Sequence, residues 1–461
     1  MFAKEVYLNR REGLCDQMVS GILLFPGNSE SPMSYPDNAY HFRQDSNFLY
    51  FTGIDHPDLF FLIDIDSKKS ILFGDELTVD DIIWTGPQKS LSDQATEVGI
   101  QEVKPLSAIY GFLSSALAKK REVHFLPPYR TQTMLFLENL LGIKAEQQKQ
   151  AASDKLIHAV IALRSIKGPE EIEDLQKASA IGYAMHYAAM KKAVDGASER
   201  EIAGYIEGIA LSMGSGISFP VILSQQGEIL HGHDHSQILH KGRFMLCDAG
   251  AESLNHYASD FTRTTPVSGC FTSQQKELYQ LVLDANNNAF QLIRPGVLYR
   301  DIHLNCCQVL AEGLKSLGIL KGNMEEAVAK GAHALFMVHG LGHMLGLDVH
   351  DMEELGEDFV GYDEEISRSS QFGLSSLRLG KRLQAGFVLT VEPGLYFIPA
   401  LIQKWESEKK LTDYINYHKI KQFIGIGGIR LEDNVLVTMD GCKMLGEKRL
   451  PISPAEIEAL F

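Results

Sequence analysis

The stretch from Phe244 to Thr265 constrains this chain more than any other. Phe244 to Cys247 reads as a short apolar strand, and it ends in an acid, Asp248. Gly250, Ser253 and Asn255 supply turn chemistry, and a second strand-like run carries Asp260. A hairpin centred on Leu254 sets Asp248 opposite Asp260, where side chains on one face lie about 4.5–5.5 Å apart. Two bare carboxylates that close repel unless a proton or a cation lies between them. A cation site and a solvated polar hairpin are both compatible with these residues alone.

The remainder of the chain narrows the classes of function. With 461 residues there is material for two or even three domains with sizeable cores. Apolar content of 45% and charged content of 22% are those of an ordinary soluble globular protein. The 43 basic against 59 acidic residues give a net charge of -16. No basic block stands out, which argues against a nucleic-acid or anionic-membrane partner. Seven of the acids fall between Glu353 and Glu365, a segment expected to be a solvated insertion. The opening residues carry no apolar core of signal-peptide length, and no apolar run is long enough to span a bilayer. The six cysteines follow neither zinc nor disulfide-framework spacing, so reduced thiols and a cytoplasmic location are expected.

Taken in order, residues 1–152 alternate short apolar strands (Gly21–Phe25, Leu59–Ile65, Ser70–Phe73) with helical stretches (Ala108–Lys120, Thr133–Leu141), an α/β pattern. The aromatic segment Phe42–Gly53 reads as core, with a substrate-facing rim as the alternative. A polar turn in composition at Glu146–Gln150 sets the expected boundary, leaving 153–461 as a second domain. There, Pro169 with Glu170 and Glu171 marks the start of a long helix through Val194. Ser198 and Glu201 have capping-box spacing for a helix to Met213. Ser273–Ile293 and Leu298–Leu317 read as two more helices. Strand-like runs at Gly242–Cys247, Tyr257–Pro266, Gly386–Tyr396 and Gly427–Thr438 complete an α+β domain of helices on an antiparallel sheet.

Acids and histidines recur beside glycines at strand ends. His231, His339, His343, His350, Glu392 and Glu432 all have this setting. His339 and His343 have the four-residue spacing of a zincin helix, but Gly340 replaces the Glu that motif needs. Gly340, Gly342 and Gly346 are also poor for a helix interior, so that chemistry is excluded. Asp248, Asp260, Glu392 and Glu432 with His343 form an oxygen-rich set whose four negative charges two divalent cations would balance. Such ligands suit manganese, cobalt or zinc better than copper. Two ions about 3.5–4 Å apart are a recurrent hydrolytic arrangement.

Four runs carry a family resemblance: Asp248-Ala249-Gly250 through Ser259–Thr264, His339–His343, Val391-Glu392-Pro393-Gly394, and Gly428–Asp433. They resemble the metal-ligand motifs of proline-specific pita-bread metallopeptidases, the Xaa-Pro aminopeptidases (aminopeptidase P) and the Xaa-Pro dipeptidases (prolidases). Asn9-Arg10-Arg11, Phe42-Arg43-Gln44 and Tyr50–Gly53 resemble the N-terminal domain of that family. The resemblance implies an α/β N-terminal domain of the creatinase and aminopeptidase P type, followed by an α+β pita-bread catalytic domain. It implies two divalent ions, manganese in the first place, with Asp248 and Asp260 on one ion. Asp260 and Glu432 would bridge, and His343 and Glu392 would complete the second ion. His231, His339 and His350 would line the substrate site, Arg430 would support the carboxylates, and Arg378 resembles a prolidase arginine that holds the substrate carboxylate. A homodimer or homotetramer built partly through the N-terminal domain is also implied.

The chain departs from that family in two places. The Asp248–Asp260 interval is one residue longer than usual, so a longer turn or bulge around Ser253–His256 is expected to absorb it. The spacings around Glu392 are long in the prolidase manner, whereas the N-terminal motifs lean toward aminopeptidase P. The expected reaction is hydrolysis of an N-terminal Xaa-Pro bond by a metal-bridging hydroxide. Glu392 would accept the proton, and His231 and His350 would steady the oxyanion. The alternatives are a dipeptidase, a pita-bread binding protein without catalysis and, lowest, a creatinase-like hydrolase.

Overall fold

The computed structural model describes Met1–Phe461. The chain divides into two compact units: Met1–Arg164 together with Glu353–Phe359, and Ser165–Met352 together with Val360–Phe461.

The first unit is built on five strands: β1 (Ile22–Pro26), β2 (Phe60–Asp64), β3 (Lys69–Phe73), β4 (Glu102–Lys104) and β5 (Val123–Phe125). Their order is β4-β3-β2-β1-β5, with parallel pairs at both edges and antiparallel pairs between. The aromatic segment forms a helix, Ser46–Thr52, every residue of which is buried. It is core. Asp45 caps its first turn by accepting from the Phe48 amide, and Gly53 ends it at φ 67°, which glycine adopts without strain. Arg10 and Arg11 lie on the helix Lys4–Gln17 and donate to the carbonyls of Tyr50 and Phe51 at 2.9 and 2.8 Å. Those carbonyls belong to the helix's last turn, whose acceptors have no intrahelical partner. The N-terminal motifs therefore hold each other in place.

The structural unit ends later than the expected boundary at 152. The helix Asp154–Ser165 contributes its residues through Arg164 to the first unit, where buried Arg164 donates to Asn47 Oδ1 at 2.6 Å. Polar composition at Glu146–Gln150 marks only the short helix Ala145–Ala151. The acidic segment is likewise not simply solvated. Residues 353–359 belong to the first unit, and Glu354 accepts from Asn47 at 3.0 Å.

In the second unit the long helices run Pro169–Lys192, Glu199–Met213, Ser273–Leu292 and Tyr299–Ser316. Ser198 makes no side-chain cap, in contrast to its spacing with Glu201. The neighbouring acid, Glu199, is fully buried and accepts from the Ser224 hydroxyl and the Gln225 amide instead. The strands are β6 (Gly216–Ile217), β7 (Ile222–Ser224), β8 (Phe244–Ala249), β9 (Ala251–Glu252), β10 (Phe261–Pro266), β11 (Val388–Val391), β12 (Gly394–Tyr396), β13 (Gly428–Arg430), β14 (Asp433–Val437) and β15 (Cys442–Met444). They form small sheets, β10-β8-β7, β11-β14-β15, β12-β13 and β6-β9, and every pairing is antiparallel. Ile181, Met185 and Ile206 from two of the helices pack with Leu223, Met245 and Cys247 in one apolar cluster. No helix is long and apolar enough to cross a membrane.

Candidate metal centre

The hairpin register differs from the expected one. β8 and β10 pair with Asp248 across from Thr262 and Ala249 across from Phe261, so the hairpin centres on Asn255 and Asp260 is diagonal to Asp248. A three-residue loop lies between Ser253 and Tyr257, within the segment expected to hold a longer turn, and His256 in it adopts φ 66°. A diagonal offset of two residues keeps both acids on one face, where the charge of Asp248 acts on Asp260. Gly250 is required beside them, since a Cβ there would lie 1.8 Å from the Ser259 carbonyl oxygen.

The other three candidates reach the same place through strand breaks. β11 pairs with β14, and β12 with β13, in one continuous register that is interrupted only at Glu392-Pro393 and Leu431-Glu432. The break sets Glu392 across from Glu432, with both side chains freed from a regular ladder. Thr262 bridges to Glu432, whose amide donates to the Thr262 carbonyl at 3.0 Å, joining β10 to this second ladder. His343 lies alongside β11, its carbonyl accepting from the Thr390 amide and its own amide donating to the Thr390 hydroxyl. Gly342 lets it do so, because a Cβ there would meet the Thr390 oxygen at 2.1 Å.

The result is one buried cluster. Donor atoms of Asp260, His343 and Glu432 all lie within 4.8 Å of one another. His343 Nε2 is 3.4 Å from Asp260 and 3.7 Å from Glu392. His343 Nδ1 donates to the Met344 carbonyl at 3.0 Å, which leaves the Nε2 lone pair facing the carboxylates. Burial first, and then mutual repulsion, push Asp260 and Glu432 well above the usual carboxylate range. Burial also pushes Glu392 up to about 7, against the pull of His343 and Arg430. Asp248 Oδ1 and Asp260 Oδ1 are buried with no hydrogen-bond partner. Unpaired carboxylate oxygens facing an imidazole lone pair fit divalent cations, which would satisfy both the charge and the orphaned oxygens.

The predicted substrate-side residues gather around this cluster. The ring centroids of His350 and His343 are 4.2 Å apart. His339 Nδ1 lies 3.7 Å from Glu392, and burial holds its pKa down to about 3, so the ring is neutral. His231 is exposed at the rim, within electrostatic reach of Arg430, Asp248, Arg378 and His350. Arg378 acts on both His231 and His339.

Residues 173–439 match the model of metallopeptidase family M24, and residues 7–124 match that of the aminopeptidase P N-terminal domain. The chain belongs to metallopeptidase family M24. Its fold is the α/β N-terminal domain followed by the pita-bread catalytic domain. Relatives include a probable Xaa-Pro aminopeptidase of Fusarium vanettenii, 30% identical over 96% of this chain and 91% of its own length. Another from Sordaria macrospora is 31% identical, with the same coverage. Among solved structures, aminopeptidase P from E. coli with the inhibitor Pro-Leu is 30% identical with a TM-score of 0.81, covering 100% of this chain and 98% of that one. A zinc-substituted form of the E. coli enzyme in complex with product is 29% identical with a TM-score of 0.80, covering the same shares of both chains.

In this M24 chain the candidate ligands are held by Arg430, which the sequence reading included, and by several side chains that it did not. Thr262 Oγ1 accepts from Arg430 Nε at 3.0 Å and donates to Glu432 Oε2 at 2.7 Å. Arg430 also donates to Asp248 Oδ2 and, at 2.8 Å, to the Tyr396 hydroxyl, which in turn meets His339 Nε2 at 2.8 Å. Since His339 Nδ1 donates to the Gly340 carbonyl, the Tyr396 hydroxyl donates to Nε2. Asn434 brackets the backbone of Asp260, and Asn286 donates to the carbonyls of Val391 and Leu431 beside both strand breaks. Fully buried Arg263 joins Asp433 to the Glu432 carbonyl. Period-two alternation from Asp260 points to Thr262. Nothing local points to Asn286, which lies mid-helix.

Proposed function

We propose that this M24 chain is an Xaa-Pro aminopeptidase that removes the first residue of peptides with proline second, using two divalent ions, manganese in the first place. The observation that carries this reading is the convergence of Asp248, Asp260, His343, Glu392 and Glu432 from three strand systems onto one buried volume. Asp248, Asp260, His343, Glu392 and Glu432 would together hold the ions; cobalt or zinc would fit the same donors. When bound, such ions would supply Lewis-acid polarisation of the scissile carbonyl and lower the pKa of water toward neutrality.

The side chains then have separate tasks. Glu392 accepts the proton of the attacking water and passes it to the leaving proline nitrogen. His231 and His350 steady the developing oxyanion. Neutral His339, fixed by Tyr396, lines the substrate side, and Arg430 holds Asp248 in position. The free amine of the substrate rests against Asp248, whose Oδ1 carries no other hydrogen bond, and this confines cleavage to the first bond. The N-terminal domain would serve a homodimer or homotetramer. Six cysteines without disulfide-framework spacing favour a cytoplasmic location.

A second reading, the Xaa-Pro dipeptidase, is favoured by one observation: Arg378 sits within reach of His231 and His339, where it could clamp a product carboxylate. Activity of manganese-loaded protein on a tripeptide with proline second, beside the matching dipeptide, separates the two. Faster turnover of the tripeptide is expected. Preference for the dipeptide would establish the dipeptidase, and turnover of neither by metal-replete protein would leave a binding protein.

A further inference from the structure

A second cluster of metal-ligating side chains lies in the catalytic unit, outside the carboxylate centre. His303 and Cys307 stand one turn apart on the helix Tyr299–Ser316, and His333 faces them from the short 3-10 turn Ala332–Leu335. One donor atom from each lies within 4.8 Å of the other two, and all three side chains are buried. Cys307 Sγ is 3.5 Å from His303 Nε2. Sulfur and nitrogen bound to one ion at about 2.3 and 2.0 Å in a trigonal arrangement stand roughly that far apart.

The cluster is poorly explained as core. His303 Nδ1 and both ring nitrogens of His333 are buried without a hydrogen bond of good geometry, although the Val328 carbonyl approaches His333. Imidazole nitrogens without a well-formed hydrogen bond beside a thiol are a costly way to fill apolar space, because each loses its water without regaining a full partner. Burial holds His303 near 3 and His333 near 4, so both rings are neutral and keep a free lone pair. The adjacent Cys306 is not part of the set, because its thiol donates to the Ala285 carbonyl at 3.4 Å.

Charge selects the ion. The groups that act electrostatically on the three are one another, Cys306 and His339, with no carboxylate among them. Burial keeps the Cys307 thiol protonated in the empty site, so an incoming cation must displace that proton to solvent. The resulting thiolate and two neutral imidazoles carry a single negative charge, which a monovalent cation neutralises. A divalent ion would strand a positive charge in an apolar interior. Thiolate and imidazole are also soft and borderline donors, of the kind that favour copper(I) over the hard cations suited to carboxylates.

We propose that His303, Cys307 and His333 form a second metal site, selective for a soft monovalent cation of the copper(I) type and separate from the carboxylate centre. The bound ion ties the turn Ala332–Leu335 to the helix Tyr299–Ser316.

The test uses full-length protein already loaded with manganese and exposed anaerobically to copper(I) in competition with a copper(I) chelator. Wild type and Cys306→Ser retain one copper per chain, and Cys307→Ser and His333→Gln retain none. X-ray absorption on the wild-type protein reports one sulfur and two nitrogen neighbours, a readout independent of whether a variant folds. Equal copper in wild type and folded Cys307→Ser, or a copper environment without sulfur, overturns the proposal. Retention of zinc(II) but not copper(I) under the same competition overturns the charge argument and the assignment with it.

Discussion

Thr262 shows how much of this site is carried by one small side chain. Its hydroxyl receives from Arg430 and gives to Glu432, so it orients a candidate bridging carboxylate and the guanidinium that holds Asp248. Thr262→Val preserves shape and strand propensity while removing both bonds. It is expected to weaken metal affinity by about 10–100-fold, the usual scale for residues supporting a ligand. Metal titration of the folded variant measures this, and unchanged affinity would remove Thr262 from the frame. Changing a ligand itself has a larger effect. Asp260→Asn or Glu432→Gln is expected to lower both metal content and turnover by more than about 100-fold, beyond that outer-shell scale. Full activity with two ions still bound would refute the ligand assignment.

At the scale of elements, the centre depends on interruptions. Glu392 and Glu432 project from paired breaks in one ladder, and His343 enters beside β11 only because Gly342 has no side chain. Gly342→Ala would press a methyl group against the Thr390 carbonyl and the Tyr299 hydroxyl, which already donates to that carbonyl at 2.6 Å. A loss of about 1–3 kcal/mol in urea unfolding is expected, with His343 displaced. A stable variant with full metal affinity would show that the backbone has room to give. These breaks are also where the sequence-based reading was too coarse. Gly386–Tyr396 and Gly427–Thr438 look like single strands in composition, whereas each is two short strands around a kink that carries a candidate ligand. Similarly, period-two alternation places Asp248 and Asp260 on one face but leaves the register open by one step. The loop Leu254–His256 settles that register.

For the whole molecule, protons and cations compete for the same groups. Asp260, Glu392 and Glu432 have folded pKa values above their unfolded values of about 4. In metal-stripped protein their contribution to stability is therefore fully present below about pH 4. It is lost as pH rises through the folded values, about 7 for Glu392. Bound cations reverse this by favouring the ionised carboxylates. The gap in melting temperature between loaded and stripped protein should widen from about pH 5 to about pH 7.5. Buried His186, held down to about 4 by desolvation, makes stability fall as pH drops below the unfolded histidine value. It does so in both forms, and cancels in the difference. A gap independent of pH in thermal melts would contradict the coupling.

Local chemistry in the sequence determined the donor types, their order along the chain and the strand-end settings beside glycines, because capping, turn and alternation rules act over a few residues. The boundaries of the long helices followed from the same rules. Only the tertiary structure decided that Asp248 faces Thr262, that Glu392 lies across from Glu432, and that Asn286 and Asn434 brace the strands between them. The same holds for His333 meeting His303 and Cys307, a cluster that no cysteine spacing announces. The physical reason is common to all four. Register and long-range packing are set by the summed burial of distant segments, and no short window of sequence contains that sum.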